Sequence, residues 1–155
     1  MNPATASSSA TSQAAACAHV PCAHCGAVNR VPSARLAEAP VCGRCGQALL
    51  PGQPIELDDR RLPAFLQACT LPVIVDVWAP WCGPCRSMAP QFERAAAALQ
   101  GQAVLVKVNS DENPVFAGRH AIRSIPTLLK LQGGRELDRL TGARPAEALV
   151  AWARA

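Results

Sequence analysis

The run Val73-Ile74-Val75-Asp76-Val77-Trp78 is apolar and β-branched, and Trp81-Cys82-Gly83-Pro84-Cys85 follows it closely. The run reads as a buried strand. The stretch from about Pro84 to Leu99 carries Met88, Phe92, Ala95 and Leu99 on one stripe and reads as an amphipathic helix. A strand that feeds a helix through so short a turn commits the chain to α/β layers. It also puts Cys82 at the turn, beside the positive end of the helix macrodipole, where a thiolate is favoured. The thiolate is the attacking species in disulfide exchange. An isolated Cys-x-x-Cys could equally be half of a zinc site. The strand before it and the helix after it favour thiol–disulfide chemistry.

The rest of the chain from residue 55 alternates strand and helix signals. Arg60 to Cys69 reads as a helix with Leu62, Phe65 and Leu66 on one face, and Ala103 to Asn109 as a buried strand. Asn113-Pro114 marks a helix start, with Pro at the first helical position. Thr127 to Leu131 and Glu136 to Leu140 flank Gly133-Gly134 and read as an antiparallel hairpin. Arg144-Pro145 opens a last helix with Leu149, Val150 and Trp152. Pro90 falls inside the central helix and is expected to kink it. The fold class is therefore α/β, a central mixed sheet flanked by helices.

At 155 residues the chain has room for one domain and a small module. Residues 1–16, almost all Ala, Ser and Thr, read as a disordered tail, with a fraying helix as the alternative. Residues 17–48 form a cysteine-rich module that needs a staple. Residues 49–54 hold Pro51, Gly52 and Pro54 and read as a linker, and 55–155 make the α/β domain. The net charge of +4 is mild and dispersed, which argues against a nucleic-acid partner. The start of the chain lacks the basic and apolar segments of a secretory signal. No apolar run reaches the roughly 18 residues of a membrane span. These features point to a cytoplasmic protein of a reducing compartment, expected to be a monomer.

Eight cysteines are many for this length, and six fall in three Cys-x-x-Cys pairs. Cys22, Cys25, Cys42 and Cys45, with sixteen residues between the pairs, have the spacing of a four-thiolate zinc site. Gly26 and Gly46 let the chain turn so that amides face the sulfurs. Four sulfurs would close the coordination, making one structural Zn²⁺ per chain that supplies folding energy. The competing reading is two further redox disulfides. Cys17, His19 and His24 lie near enough to compete as ligands, and Cys17 otherwise reads as an exposed thiol. Cys69 reads as a small buried hydrophobe, and His120 as a surface or helix-end residue.

Within the redox motif, Cys82 comes first and reads as the nucleophile, with Cys85 one turn inward as the resolving thiol. Asp76 is a carboxylate in an apolar strand. Burial would raise its pKa and suit it to accept the Cys85 proton. The alternative is a solvent-facing Asp on an edge strand. Lys107 is similarly odd among Val104, Leu105, Val106 and Val108, and could simply snorkel to the surface.

From about residue 53 onward the chain resembles the thioredoxin family. The resemblance rests on Asp76, Trp78, Ala79, the Trp81–Cys85 box, Pro90, Lys107, Asp111, Pro114, Ile125-Pro126-Thr127, Gly134 and Gly142, in order and with matching spacing. It implies a thioredoxin fold and protein-disulfide reductase activity. Pro84 implies a reducing poise, and Lys107 a position near Asp76 that modulates it. Ile125-Pro126 would be a cis peptide, with Pro126 against the two sulfurs. Trp81, Gly83, Pro84, Ile125, Gly142 and Ala143 would form a mostly apolar surface for protein disulfides. An NADPH-dependent thioredoxin reductase would recharge the dithiol, so no organic cofactor is expected on this chain. Pro80 departs from the acidic residue common in the family. A zinc ribbon ahead of such a domain, with Val28-Asn29-Arg30-Val31-Pro32 between its cysteine pairs, resembles the bacterial thioredoxin 2 group. Two other readings stay open: an adaptor or redox-sensing module that uses the domain as a docking surface, and a reductase altered by oxidative zinc loss.

Overall fold

The computed structural model describes residues 16–155, so the expected tail lies outside the described residues but for Ala16. In chain order the elements are β1 (Cys17–Pro21), β2 (Val28–Pro32), a 3-10 turn (Ser33–Arg35), β3 (Ile55–Glu56), α1 (Leu62–Ala68), β4 (Val73–Trp78), α2 (Gly83–Ala98), β5 (Val104–Asn109), α3 (Pro114–Arg119), β6 (Thr127–Gln132), β7 (Arg135–Thr141) and α4 (Ala146–Arg154). The main sheet runs β3-β5-β4-β6-β7. β4 is parallel to β5 and antiparallel to β6, and β6 turns through Gly133 and Gly134, both at positive φ, into antiparallel β7. The sheet is mixed, as its sequence pattern implies.

Alternation along β4 sorts its side chains onto two faces. Val73, Val75 and Val77 join Leu62, Phe65, Leu66 and Phe116 in one core. Ile74 joins Met88, Phe92, Leu99, Leu128 and Leu149 in the other, under α2 and α4. Asp76 shares the face of Ile74. Helix α2 runs unbroken through Pro90, whose ring lies on the exposed side. Cys69 is fully buried, and burial pushes its thiol up to about 11. His120 caps the end of α3, its ring 4.3 Å from that of Phe116.

The cysteine-rich module is a two-stranded antiparallel ribbon, β1 against β2. Its strands escape the sequence patterning because Pro, Cys and His interrupt their alternation. The ribbon packs directly on the α/β domain. Val20, Leu49 and Leu50 are 0%, 2% and 4% exposed and share the core of Leu57 and Phe65. The prolines and glycine after Leu50 suggested a linker from residue 49, but Leu49 and Leu50 are packed core. Polar bonds reinforce the contact. His19 N–H donates to Thr70 Oγ1 at 2.9 Å, and Thr70 N–H returns a bond to the His19 carbonyl at 3.1 Å. Arg61 Nη1 donates to the Ala23 carbonyl at 2.9 Å, and Gln100 Nε2 to the Leu50 carbonyl at 3.0 Å.

Gly101 is part of this seam. Its φ is +81°, and a Cβ there would lie 3.1 Å from the Leu36 carbonyl oxygen and 3.2 Å from Ala37 Cα. Gly101→Ala is therefore expected to destabilise the chain by about 1–3 kcal/mol, from positive-φ strain and a backbone that must give way. Urea unfolding measures it. An unchanged midpoint would show that the ribbon yields freely at this point.

Candidate active site and metal centre

Cys82 caps α2. Its Sγ accepts the Cys85 backbone N–H at 3.2 Å, and Pro84 falls in the first turn, where a missing N–H costs nothing. No acidic residue occupies that turn, so the positive helix end is left to act on the sulfur. Cys82 and Cys85 are joined as a disulfide, with Cα atoms 5.2 Å apart. The pair packs with Ala79, Trp78 and Ile125. The Ile125–Pro126 bond is cis, in line with the resemblance, and the Ile125 carbonyl oxygen is 3.8 Å from Cys82 Sγ. Gly142 N–H donates to the Pro126 carbonyl at 2.9 Å, which ties the Gly142–Ala143 turn to the same surface. Trp81 is 67% exposed, and its Nε1 donates to Asp111 Oδ2 at 2.9 Å. The dithiol thus has exposed Trp81, Gly83 and Pro84 beside it in the chain and Ile125 across from it, with the Gly142 turn tied to buried Pro126.

Asp76 is 1% exposed on the central strand β4, not on a sheet edge. Its Oδ1 has no hydrogen-bond partner among the described residues. Burial pushes its carboxyl up to about 7, with Lys107 pulling the other way. Lys107 sits opposite Asp76 in the β4–β5 register, and its Nζ lies 4.4 Å from the centre of the Trp78 ring. It lines a cavity of about 380 Å³ together with Trp78, Asp58, Arg61 and Asn113. That stacking on Trp78 was invisible in the sequence, because it depends on the register of two strands.

The four cysteines of the ribbon converge. Their Sγ atoms all lie within 4.8 Å of one another, with Cys22–Cys45 and Cys25–Cys42 at 3.6 Å. Four sulfurs about 2.3 Å from a tetrahedral zinc stand about 3.8 Å apart. The two halves repeat one turn: Cys22 N–H bonds Ala27 and Gly26 N–H bonds Cys22, as Cys42 N–H bonds Gln47 and Gly46 N–H bonds Cys42. Gly26 and Gly46 adopt φ of 80° and 78°. Cys25 N–H and Arg44 N–H approach Cys22 Sγ and Cys42 Sγ at 3.4 Å. Asn29 bridges the knuckles, donating to Cys42 Sγ at 3.5 Å and accepting from Gly43 N–H at 2.9 Å. The Asn29 amide, then the N–H groups of Cys45 and Arg44, draw the Cys42 thiol down to about 6. A closed, donor-lined set of four sulfurs fits zinc. Cys17 stands apart, its sulfur accepting from Arg30 Nε at 3.0 Å, and neither His19 nor His24 joins the cluster. Sequence reading gave no role to Asn29 or Arg61; both act through contacts across the ribbon.

The model of the Thioredoxin family matches residues 53–155, and that described as Thioredoxin 2, N-terminal, matches residues 21–47. The chain belongs to the thioredoxin family. Thioredoxin C-3 of Corynebacterium nephridii is 44% identical over 131 residues, covering 84% of this chain and 90% of that protein. Thioredoxin 1 of a Nostoc species is 51% identical over 79 residues, covering 51% of this chain and 74% of its own length. Spinach chloroplast thioredoxin F superposes with a TM-score of 0.62 at 28% identity, over 68% of this chain and 90% of its own. Dithiol–disulfide exchange is the chemistry of this family, and the capped Cys82–Cys85 pair is where this thioredoxin carries it. Among the described residues no helix is long and apolar enough to cross a membrane.

The buried carboxylate of this thioredoxin gives stability a sign with pH. At pH below the ordinary value of 3.8 both folded and unfolded chains hold the Asp76 proton. Between 3.8 and about 7 the unfolded chain ionises while the folded one must keep the proton or bury a charge, so stability falls. Above that window the deficit is constant, at most about 4 kcal/mol. Asp76→Asn is expected to stabilise the protein at pH 8 by up to that amount and to add little at pH near 4. Urea unfolding across this range checks it. A gain independent of pH would refute burial of the charge as its cause.

Proposed function

We infer that this chain is a protein-disulfide reductase, with Cys82 as nucleophile and Cys85 as resolving thiol. The observation that carries the reading is the Cys82 sulfur at the N-terminus of α2, facing the cis Ile125–Pro126 step. In the reduced chain the Cys82 thiolate attacks one sulfur of a substrate disulfide. The substrate S–S bond breaks, a mixed disulfide forms on Cys82, and the departing sulfur takes a proton. Cys85 gives its proton to Asp76 as its sulfur attacks Cys82, and the second substrate sulfur leaves and is protonated. The chain gives up two electrons to the substrate; the two protons the substrate takes from solvent match the one Cys82 released on ionising and the one Asp76 then passes back to solvent. Burial raises Asp76 to about 7 and Lys107 opposes that rise, so near neutral pH a share of Asp76 is ionised and able to take the Cys85 proton.

Pro126 and Ile125 hold the substrate backbone near the sulfurs, while Trp81, Gly83, Pro84, Gly142 and Ala143 form the contact surface. An NADPH-dependent thioredoxin reductase returns the disulfide to the dithiol, in a cytoplasmic, monomeric setting. Cys22, Cys25, Cys42 and Cys45 would hold zinc as a closed four-thiolate set, which would supply folding energy to the ribbon and leave no position for chemistry. Residues 17–48 act as the zinc module and 55–155 as the reductase domain.

The test is capture. A Cys85→Ser chain incubated with oxidised insulin is expected to accumulate a stable adduct, mapped to Cys82 by mass spectrometry. No adduct, or one confined to Cys17, would overturn the assignment.

A further inference from the structure

The surface around the dithiol has a charge pattern that the reductase reading leaves unused. Three segments form it at one end of the sheet: residues 80–87 after β4, 121–127 before β6 and 141–145 after β7. They contain Arg86, Arg123 and Arg144 and no Asp or Glu. Pro80 is neutral and exposed. Among the described residues none of these arginines is in a salt bridge, whereas Arg35 and Arg139 are each paired with a Glu. Arg144 is held at the rim. Its Nη1 donates to the Ala143 carbonyl at 3.1 Å and lies 3.4 Å from where a Gly142 Cβ would be. One bond leaves most of the guanidinium fork open to a carboxylate.

The carboxylate bonded into this surface, Asp111, sits on the other flank. It follows β5 and is joined to Trp81, while Arg123 precedes β6 and Arg144 follows β7. In the order β5-β4-β6-β7 the dithiol after β4 therefore lies between an acidic flank and an arginine flank.

We propose that this groove selects disulfides flanked by acidic residues, oriented with the acidic side over Arg123 and Arg144. The proposal rests on the reductase reading and names its substrate class. Charge complementarity at such a rim acts on encounter and on orientation, and salt weakens it.

The probes are disulfide-linked dimers of a short cysteine peptide with Glu, Ser or Lys flanks. Each is reacted once with the pre-reduced protein and the released thiol is counted. Flanking charge alters the leaving thiol's own pKa, so each rate is divided by that of dithiothreitol on the same peptide. The normalised order is expected to be Glu above Ser above Lys, with a Glu-to-Lys ratio of about tenfold at low salt, shrinking to about twofold at high salt. Arg144→Ala and Arg123→Ala should each lower that ratio about two- to threefold. Arg35→Ala removes the same charge from the ribbon and should leave the ratio intact. Equal rates for the three peptides, or a ratio that falls equally with Arg35→Ala, would overturn the proposal. Reduction of none of the peptides would instead overturn the reductase reading beneath it.

Discussion

A Cys82→Ser chain is expected to reduce insulin no faster than dithiothreitol alone. The hydroxyl can still cap α2 by accepting the Cys85 N–H, so the fold should survive with its site geometry. What disappears is the chemistry. A serine oxygen is not ionised at neutral pH and cannot form the mixed disulfide, and Cys85 is only 3% exposed and lies behind it. The buried thiol left behind has neither the access nor the helix-end position to substitute for its neighbour. Cys17→Ser is the matched control and should keep the wild-type rate, because Cys17 belongs to the ribbon and is bonded to Arg30. Insulin turbidity driven by dithiothreitol reads both variants. Residual activity of Cys82→Ser above the dithiothreitol background would move the attacking sulfur elsewhere.

Stripping the metal should unfold the ribbon and leave the sheet behind it standing. Apparent zinc-binding energies for small thiolate modules are about 10–16 kcal/mol, and a hairpin of two five-residue strands has nothing comparable of its own. Against that stands the apolar contact of Val20, Leu49 and Leu50 with Leu57 and Phe65. Each such side chain is worth about 1.5–3 kcal/mol when fully buried. The sum falls short of the metal term once the entropy of ordering the whole ribbon is charged against it. Hydrogen exchange after treatment with a strong chelator is expected to show lost protection at the β1 and β2 amides and at Thr70. The amides of β4, β5 and β6 should stay protected. A ribbon that keeps its protection with the zinc gone would mean that the shared core alone holds it. Cys42→Ser should act like the chelator, since it removes one ligand and the sulfur that Asn29 Nδ2 shares with the Ala27 carbonyl as acceptor.

Much of this was legible from residue patterns. The strand, Cys82 turn and helix around β4 and α2 could be read because apolar period and turn chemistry agree there. Asp76 stood out because a carboxylate is out of place in an apolar run, and the central position of β4 makes it a buried one. The three Cys-x-x-Cys pairs could be sorted by context, one at a helix start and two at glycine-bearing knuckles. The ribbon strands could not be read, because Cys17, His19 and Pro21 hide the alternation that Ala18 and Val20 begin. β3 has only two residues and takes its place from β5. Lys130 drew no reading from the sequence. Its ammonium donates to the Trp152 and Ala155 carbonyls at the end of α4, a buried cap that depends on where two distant elements meet.

Leu49 and Leu50 have a further consequence, for portability. A true linker would let the cysteine module be cut away or grafted onto another domain unchanged. Here the join is a shared interior, and Gly101 has given up its side chain to admit the Leu36–Ala37 backbone. A chain begun after residue 50 would present Leu57 and Phe65 to water, and a foreign ribbon would arrive with the wrong shape for them. The two halves can be exchanged between proteins only as a matched pair, each carrying the mould of the other.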